Sequence, residues 1–172
     1  MNILKTRNLL IGYKDEAILP PINVTLNEGD LIALIGPNGA GKSTLFKTLT
    51  AHIKPVSGSV ELMGKDLSEY SQKEKAKLIG LVLTSRPDEM FLKVRDVVAS
   101  GRSPYTNFFG KIEKDDEYII HESLEIVGIN KLIDRYFDTL SDGEKQKVMI
   151  AKTIAQNTPI IFSGTTVSEK KL

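Results

Sequence analysis

The sequence predicts an α/β fold built on a parallel sheet, and three observations support that prediction. Short apolar segments alternate with amphipathic segments along the 172 residues, and such alternation is typical of parallel α/β folds. Leu31–Ile35 is apolar throughout, as in a strand that is buried on both faces of a sheet. A glycine-rich turn over residues 36–41 then separates that strand from a helix whose apolar face contains Leu45, Phe46 and Leu49.

The remaining elements follow from residue spacing and from helix-end signals. Alternation of Ile22, Val24 and Leu26 with polar residues predicts a half-buried strand. Capping-box spacing, a Ser followed three residues later by a Glu, predicts helices that begin after Ser71 and Ser141. The other predicted elements are strands at Val60–Leu62, Leu81–Leu83 and Ile160–Phe162 and helices at Asp96–Ser100 and Asp115–Val127, the last of which stops at Gly128.

Composition excludes several classes of protein. The net charge is +1, with 23 basic and 22 acidic residues, so charge gives no reason to expect nucleic acid as a partner. The chain has no cysteine, which excludes disulfides and thiolate metal sites and suits a reducing cytoplasm. Its longest apolar stretches are too short to cross a bilayer, and its first residues lack a secretory signal. We therefore expect a soluble chain with no direct membrane insertion.

The glycine-rich turn matches the pattern G-x-x-x-x-G-K-[ST] of phosphate-binding loops. Glycines let backbone N–H groups approach and wrap phosphate oxygens, and the helix that follows directs the positive end of its dipole at them. The pattern predicts that Lys42 contacts the β- and γ-phosphates of ATP and that the Ser43 hydroxyl binds Mg²⁺. The alternative is a glycine turn with a surface lysine. The candidate nucleotide-binding residues of this loop are Gly36, Pro37, Asn38, Gly39, Ala40, Gly41, Lys42, Ser43 and Thr44.

A second motif narrows the family. Residues 140–147 are Leu-Ser-Asp-Gly-Glu-Lys-Gln-Lys, which resembles the signature of ATP-binding-cassette (ABC) transporter ATPases, usually Leu-Ser-Gly-Gly-Gln or -Glu followed by basic residues. Taken alone, this segment is also consistent with a capped helix that has no role in binding. The resemblance extends over nearly the whole chain up to Phe162. It implies a P-loop NTPase fold with a parallel-sheet core, an N-terminal antiparallel β part and a helical subdomain at about 85–158, within a domain spanning 1–162.

The resemblance also implies roles for residues outside the loop. Ser141 and Gly143 would contact ATP held by a second ATPase subunit in a head-to-tail dimer, although Asp142 replaces the usual glycine and would repel phosphate. Tyr13 stands where the family stacks an aromatic ring on adenine, or is a tyrosine packed at a strand end. Thr84 stands near the family's Q-loop glutamine and is a second candidate Mg²⁺ ligand.

The stretch Val94–Tyr105 resembles the importer branch that serves iron-chelate and cobalamin uptake. The implied function is an ATP-hydrolysing subunit that energises uptake of such a ligand through a membrane permease, on the cytoplasmic face of the cell membrane. Tyr105, Phe108 and Phe109 would then face the permease, or alternatively pack on one another.

The family's next motif, an Asp-Glu pair at the end of a strand, is not found. Gly164 and Thr165 stand at the positions of the Asp and the Glu, so no catalytic residue is intact and hydrolysis is expected to be very weak. Residues 163–172 form a tail that does not resemble the family, which suggests a frameshift or truncated gene product. The C-terminal part of the core would be missing, which leaves the phosphate-loop strand with an open edge and favours aggregation.

Two alternative functions stay open from the sequence. One is a non-catalytic remnant that binds nucleotide, or a module that binds a membrane partner. The other is a different phosphoryl-transfer enzyme with a phosphate loop, such as a small-molecule kinase, against which the signature at residues 140–144 argues.

Overall fold

The computed structural model describes residues 1–82, 91–106 and 111–164, and the chain divides into two compact units, Met1–Lys75 and Ala76–Leu172. The two units differ in their secondary structure. The first consists mainly of short antiparallel strands with one helix, and the second of helices with a pair of parallel strands. This mixed α/β content, with an antiparallel β part and helices, agrees with the predicted fold class. The predicted domain limits at residue 162 and the helical subdomain at about 85–158 stay predictions.

The first unit is organised around one long strand, β1. It pairs antiparallel with β4 on one side and with β5 on the other, and β6 extends the sheet beyond β5. A separate hairpin joins β2 to β3. The strands of this unit are β1 (Asn2–Leu10), β2 (Gly12–Tyr13), β3 (Glu16–Ala17), β4 (Thr25–Asn27), β5 (Ser57–Leu62) and β6 (Lys65–Asp66).

Burial along β1 explains why this strand holds the sheet together. Leu4 and Leu9 are fully buried, and Thr6 is buried between them. The Thr6 hydroxyl donates to the carbonyl oxygen of Ile22 at 2.9 Å and accepts from the amide of Val24 at 2.9 Å. A buried polar group needs such partners, and here they connect β1 to the chain preceding β4. The predicted strand at residues 22–26 is therefore present in part, as a single bridge at Ile22 and then β4.

The prediction of a buried strand at Leu31–Ile35 is wrong. Residues 31–36 are irregular, and the side chains of the segment lie in solvent: Leu31 is 99% exposed, Ile35 90%, Ile32 59% and Leu34 45%. An apolar run shows only that a segment gains from burial. Whether it forms a strand depends on neighbours that pair with it, and within the described residues no strand does so.

The five α-helices of the described residues follow the order that capping signals and apolar spacing predict. Ser71 and Glu74 hydrogen-bond reciprocally before α2, and Gly128, with φ of +70°, follows the end of α4. A positive φ costs glycine little, which is why glycine ends helices. The helices are α1 (Lys42–Leu49), α2 (Gln72–Leu78), α3 (Val94–Ala99), α4 (Lys114–Ile126) and α5 (Asp142–Ala155).

The core of the second unit lies where α3, α4 and α5 meet. Its members are apolar side chains with little or no exposed surface, contributed by all three helices and by the turn before α5. They include Val94, Val97, Val98, Ile120, Leu124, Phe137, Val148, Ala151 and Ala155. Removing such side chains from water is the main favourable contribution to folding of this unit.

Two parallel strands accompany these helices, β7 (Ile79–Val82) and β8 (Ile160–Ser163). Ile79 pairs with Ile160 and Val82 with Ser163, so both strands end at the same edge. The parallel pairing predicted for the core is therefore present. Among the described residues, no helix has the length and apolar character needed to cross a membrane.

Candidate functional site

The phosphate loop lies at the N-terminus of α1. Gly41 is the N-cap residue with φ of +84°, and Gly39 has the same φ, a conformation that side chains disfavour. The amide of Ala40 donates to the carbonyl oxygen of Pro37 at 3.3 Å, which closes a turn over the loop. Because Gly41 has no side chain to accept a hydrogen bond, the first amides of α1 stay available to an anion.

Space for such an anion exists beside Gly39. Around the position that a Cβ on Gly39 would occupy, no heavy atom of the described residues lies within 4 Å beyond its chain neighbours. Open space next to backbone donors is what a triphosphate requires, because a side chain there would block the approach. Open space and the backbone donors of the first turn of α1 thus lie side by side at this loop.

Lys42 brings a positive charge into the loop. Its Nζ donates to the carbonyl oxygens of Gly36 at 2.6 Å and of Pro37 at 2.7 Å. The ammonium is thus held over the loop by two hydrogen bonds, and it has a third N–H for another acceptor. A phosphate oxygen, which is charged, is a stronger acceptor than a carbonyl oxygen and competes for this ammonium.

The two residues after Lys42 have different environments. Ser43 is exposed in the first turn of α1, so its hydroxyl is open to a ligand, whereas Thr44 is buried. The carbonyl oxygen of Thr44 accepts from the Thr48 hydroxyl at 2.9 Å. Thr84, the second candidate Mg²⁺ ligand, lies outside the described residues. Within the described ranges, no group of three His, Cys, Asp or Glu side chains could hold a metal. Among the described residues, the exposed Ser43 hydroxyl is thus the oxygen predicted to bind Mg²⁺.

Tyr13 is exposed on a tight hairpin close in sequence to the loop. It pairs with Glu16, and the two turn residues between them have positive φ. The chain then continues to Ile18 and Leu19, whose Cδ1 atoms lie 3.2 and 3.3 Å from the position of a Cβ on Gly41. These two contacts could not be predicted from the sequence, because an apolar pair before two prolines has no specific pattern.

The signature residues form the N-terminus of α5. Ser141 is the N-cap; its amide donates to Glu144 Oε2 at 2.8 Å and its hydroxyl donates to the same oxygen at 2.7 Å. These hydrogen bonds from Ser141 lower the pKa of the Glu144 carboxyl. Ser141, Asp142 and Gly143 are all exposed. The capped helix that the sequence offered as an alternative is therefore present, and the exposed turn is also available to a ligand.

The strand that should lead to the catalytic carboxylates is β8. Gly164 follows its last residue, and Thr165 lies outside the described residues. A glycine has no ionisable side chain, so this strand end supplies no carboxylate at residue 164.

Tyr105 contacts its own unit on two sides. Its hydroxyl donates to the carbonyl oxygen of Asn157 at 3.3 Å, and the Arg102 guanidinium lies 4.0 Å from the centre of its ring. Lys77 Nζ lies 5.2 Å from the same ring. Phe108 and Phe109, predicted beside it, lie outside the described residues.

Comparison with known proteins identifies the family. The model of the ABC transporter family matches residues 19–163, which include both the phosphate loop and the signature segment. The chain belongs to this ABC transporter family of ATPases. The match ends at Ser163, one residue beyond Phe162, where the resemblance noted in the sequence ends.

Relatives of this ABC ATPase chain include ATP-binding proteins of iron-chelate import and transport. It is 43% identical over 160 residues to an uncharacterized ABC transporter ATP-binding protein of Methanocaldococcus jannaschii, covering 93% of this chain and 55% of the relative. It is 36% identical to the iron(3+)-hydroxamate import ATP-binding protein of Bacillus subtilis, covering 94% of this chain and 60% of the relative. It is also 36% identical to the ferric enterobactin transport ATP-binding protein of Escherichia coli, covering 92% and 59%. The chain thus spans between 55% and 60% of the length of these relatives.

Solved structures agree with this fold. A component of an ABC transporter complex from Clostridium perfringens superposes with a TM-score of 0.80 at 30% identity, covering 94% of this chain and 64% of that one. An ATP-binding cassette of an ABC transporter in its ADP conformation superposes with a TM-score of 0.80 at 25% identity, covering 94% and 67%. The predicted P-loop ABC ATPase fold is confirmed.

Proposed function

We propose that this chain is the nucleotide-binding portion of an ATPase subunit of an ABC importer, and that the importer takes up an iron chelate or cobalamin-like ligand. The observation that carries the proposal is the phosphate loop at the N-terminus of α1, with the Lys42 ammonium held over it. The Bacillus subtilis relative, which serves iron(3+)-hydroxamate import, and the Escherichia coli relative, which serves ferric enterobactin transport, support the iron-chelate class. The family match argues against the alternative of a small-molecule kinase.

In this proposal the loop binds Mg-ATP through its backbone. The amides of Gly39–Ser43 donate to phosphate oxygens, for which the Ala40 amide exchanges its present partner, the Pro37 carbonyl oxygen. Lys42 turns from its two carbonyl partners to the β- and γ-phosphates. Ser43 gives one oxygen to Mg²⁺, and Thr84 is the second candidate ligand. Tyr13 stacks on adenine from its exposed position, which Ile18 and Leu19 connect to the loop.

The signature turn has a separate role in the proposal. Ser141 and Gly143 contact the γ-phosphate of ATP bound to a second ATPase subunit, because exposed amides at a helix N-terminus attract phosphate. The membrane permease is the other partner, which places the subunit at the cytoplasmic face of the membrane. Neither nucleic acid nor direct insertion into the membrane is part of this function.

Hydrolysis is proposed to be strongly impaired. In this family the strand that ends in Asp-Glu supplies one carboxylate to steady Mg²⁺ and another to orient the attacking water. Gly164 and Thr165 have no charge with which to do either. Nucleotide binding depends mainly on the loop amides and Lys42 rather than on these two carboxylates. We therefore expect this chain to bind nucleotide but to hydrolyse it very slowly.

The test measures both properties on one preparation. Titration calorimetry with ATP and Mg²⁺ should show binding, while phosphate release should stay at the level of a Lys42→Ala control. A folded sample that binds neither ATP nor ADP would contradict the proposal. Turnover comparable to that of the Escherichia coli relative would keep the ATPase assignment but show that Gly164 and Thr165 do not disable it.

A second candidate function is a non-catalytic module that binds nucleotide or caps a permease without chemistry. Gly164 at the end of β8 favours it, because that position offers no carboxylate. Tight binding of ATP with no phosphate release over a long incubation with Mg²⁺ would support this candidate over a slow ATPase.

A further inference from the structure

Two glycines of the phosphate loop have the same backbone φ but different surroundings. Gly39 and Gly41 both have φ of +84°, a left-handed conformation that is only one of several open to a free glycine. The Cβ position of Gly39 faces open space in the part of the chain that the structure describes. The Cβ position of Gly41 instead lies 3.2 Å from Ile18 Cδ1, 3.3 Å from Leu19 Cδ1 and 3.5 Å from Leu19 Cγ. The loop therefore has an open side at Gly39 and a side that apolar side chains cover at Gly41.

The 18–22 segment, Ile18-Leu-Pro-Pro-Ile22, supplies these side chains and is held at both ends. The amide of Ile18 donates to the carbonyl oxygen of Ile11 at 2.9 Å. The amide of Ile22 donates to the carbonyl oxygen of Leu9 at 2.9 Å, and the carbonyl oxygen of Ile22 accepts from the amide of Leu9 at 3.1 Å. Leu9 and Ile11 are both fully buried, so the segment is attached to fixed points in the core of the first unit.

Two consecutive prolines stiffen the middle of the 18–22 segment. A proline fixes its own φ at about −65° and disfavours helical backbone at the residue before it, so Leu19, Pro20 and Pro21 have few conformations available. Side chains on such a backbone need less ordering to hold a neighbour in place than side chains on a free loop. The 18–22 segment is therefore a stiff support beside Gly41.

Gly41 is the N-cap of α1, and its carbonyl oxygen accepts the first hydrogen bond of the helix from the Leu45 amide at 2.9 Å. Its conformation sets the direction of the first amides of α1, which are the donors available to phosphate. We propose that Ile18 and Leu19 are positioning residues for triphosphate binding, because they hold Gly41 in its left-handed conformation before the nucleotide arrives. This proposal rests on the nucleotide binding proposed above and extends it to two residues outside the glycine-rich motif. A loop that is already ordered loses less conformational entropy on binding.

Inorganic tripolyphosphate separates this role from a contact with adenosine. It has three linked phosphates and no adenosine, so its affinity reports on the loop alone. Leu19→Ala removes both Leu19 atoms that approach Gly41, and Ile18→Val removes only the Cδ1 atom of Ile18. In titration calorimetry with Mg²⁺, we expect the double variant to bind ATP and tripolyphosphate about three- to tenfold more weakly, as for the ordering of roughly one further residue. Each single variant should show a smaller loss of the same kind.

Two control variants distinguish positioning from general stability. Leu19→Met keeps a long apolar side chain and should restore the affinity of the unsubstituted chain. Leu67→Ala makes the same truncation at a buried residue in the turn that packs on β5, so it should lower the thermal midpoint but leave both affinities unchanged. Without ligand, the NMR order parameter of the Gly41 amide should fall in the double variant and not in Leu67→Ala.

Three results would overturn the proposal, and they differ from one another. Weaker binding of ATP with unchanged binding of tripolyphosphate would show that Ile18 and Leu19 contact adenosine instead. Unchanged affinities for both ligands, with a lowered thermal midpoint, would show that the two side chains serve stability alone. A folded, unsubstituted chain that binds neither ligand would overturn the proposed function itself. If the double variant does not fold, Ile18→Val, which removes a single methyl group, gives the same comparison of the two ligands.

Discussion

The single residue on which the proposed binding of ATP depends most is Lys42. Its ammonium lies 2.6 and 2.7 Å from two loop carbonyl oxygens, and a charged hydrogen bond contributes about 1.5–3 kcal/mol. We therefore expect Lys42→Ala to weaken Mg-ATP binding by about tenfold or more in titration calorimetry. The control is Lys47→Ala, which removes an exposed lysine from the last turn of the same helix and should leave the affinity unchanged. Equal affinities for the two variants would contradict the assigned role.

Asp116 belongs to a buried ion pair, and its substitution should strongly lower the stability of the second unit. Its Oδ1 accepts from the Arg102 Nε at 2.8 Å, with side chains only 11% and 7% exposed, and its Oδ2 accepts from the amide of Glu113 at 3.1 Å. Removing one member of a buried ion pair leaves an uncompensated charge, at a cost of about 3–5 kcal/mol. Asp116→Asn should lower the free energy of unfolding in urea by about this amount, whereas Asp115→Asn, at an exposed position in the same helical turn, should change it little.

The same carboxylate predicts how stability depends on pH. Burial acts to raise the pKa of Asp116, but the hydrogen bonds from Arg102 and from the Glu113 amide, with the charge of Arg102, outweigh burial and lower the pKa. The folded state then binds the proton less tightly than the unfolded state does. The stabilisation is complete above the unfolded pKa, about 4, and is lost as pH falls through the folded pKa. Urea unfolding at pH 7 and at pH 2–3 should show a difference between the natural chain and Asp116→Asn that shrinks in acid; a constant difference would show that charge is not its source.

Gly101 allows the turn after α3 to pack directly against α5. A Cβ on Gly101 would overlap the carbonyl oxygen of Lys152, and the neighbouring Arg102 Nη1 donates to the Ala155 carbonyl oxygen at 2.9 Å. Gly101→Ala should therefore push the turn away from α5 and lower the free energy of unfolding in urea by about 1–3 kcal/mol. Gly143→Ala is the matched control, because its Cβ would meet open space in a helix and should be neutral or stabilising by up to about 1 kcal/mol. Similar losses in both variants would show that overlap at Gly101 is not the cause.

The same elements show what sequence reasoning can and cannot predict. Helices were predicted well because their signals are local: a capping box lies within four residues, as at Ser141, and Gly128 ends α4 by its own conformation. Strands need partners that are distant in the sequence. The apolar run at 31–35 therefore suggested a strand that the structure does not form, while β1, with the buried polar Thr6 at its centre, had no clear alternation to reveal it.

For the molecule as a whole, family and fold were predictable because two motifs separated by about a hundred residues agree, and neither depends on every element forming. The site was predictable only in part. The loop and Lys42 follow from a pattern with a physical reason at each position, whereas the approach of Ile18 and Leu19 to Gly41 arises from the path of the chain after β3. The exposed 31–35 segment likewise depends on which strands are present, a property of the entire chain rather than of any one window.

Binding of nucleotide should also be visible in the stability of the whole chain. A ligand that binds only the folded state, at a concentration of 100 times its Kd, stabilises that state by about 2.7 kcal/mol. For a chain of this size this corresponds to a rise of several degrees, about 5–10 °C, in the thermal midpoint. The matched control is AMP with Mg²⁺ at the same concentration, because AMP has the adenosine that Tyr13 would contact but lacks the β- and γ-phosphates that Lys42 would bind. We expect Mg-ATP to raise the midpoint and Mg-AMP to leave it nearly unchanged in a calorimetric scan. Equal shifts with both nucleotides would place recognition at the adenosine end and would remove the phosphate loop from its central role.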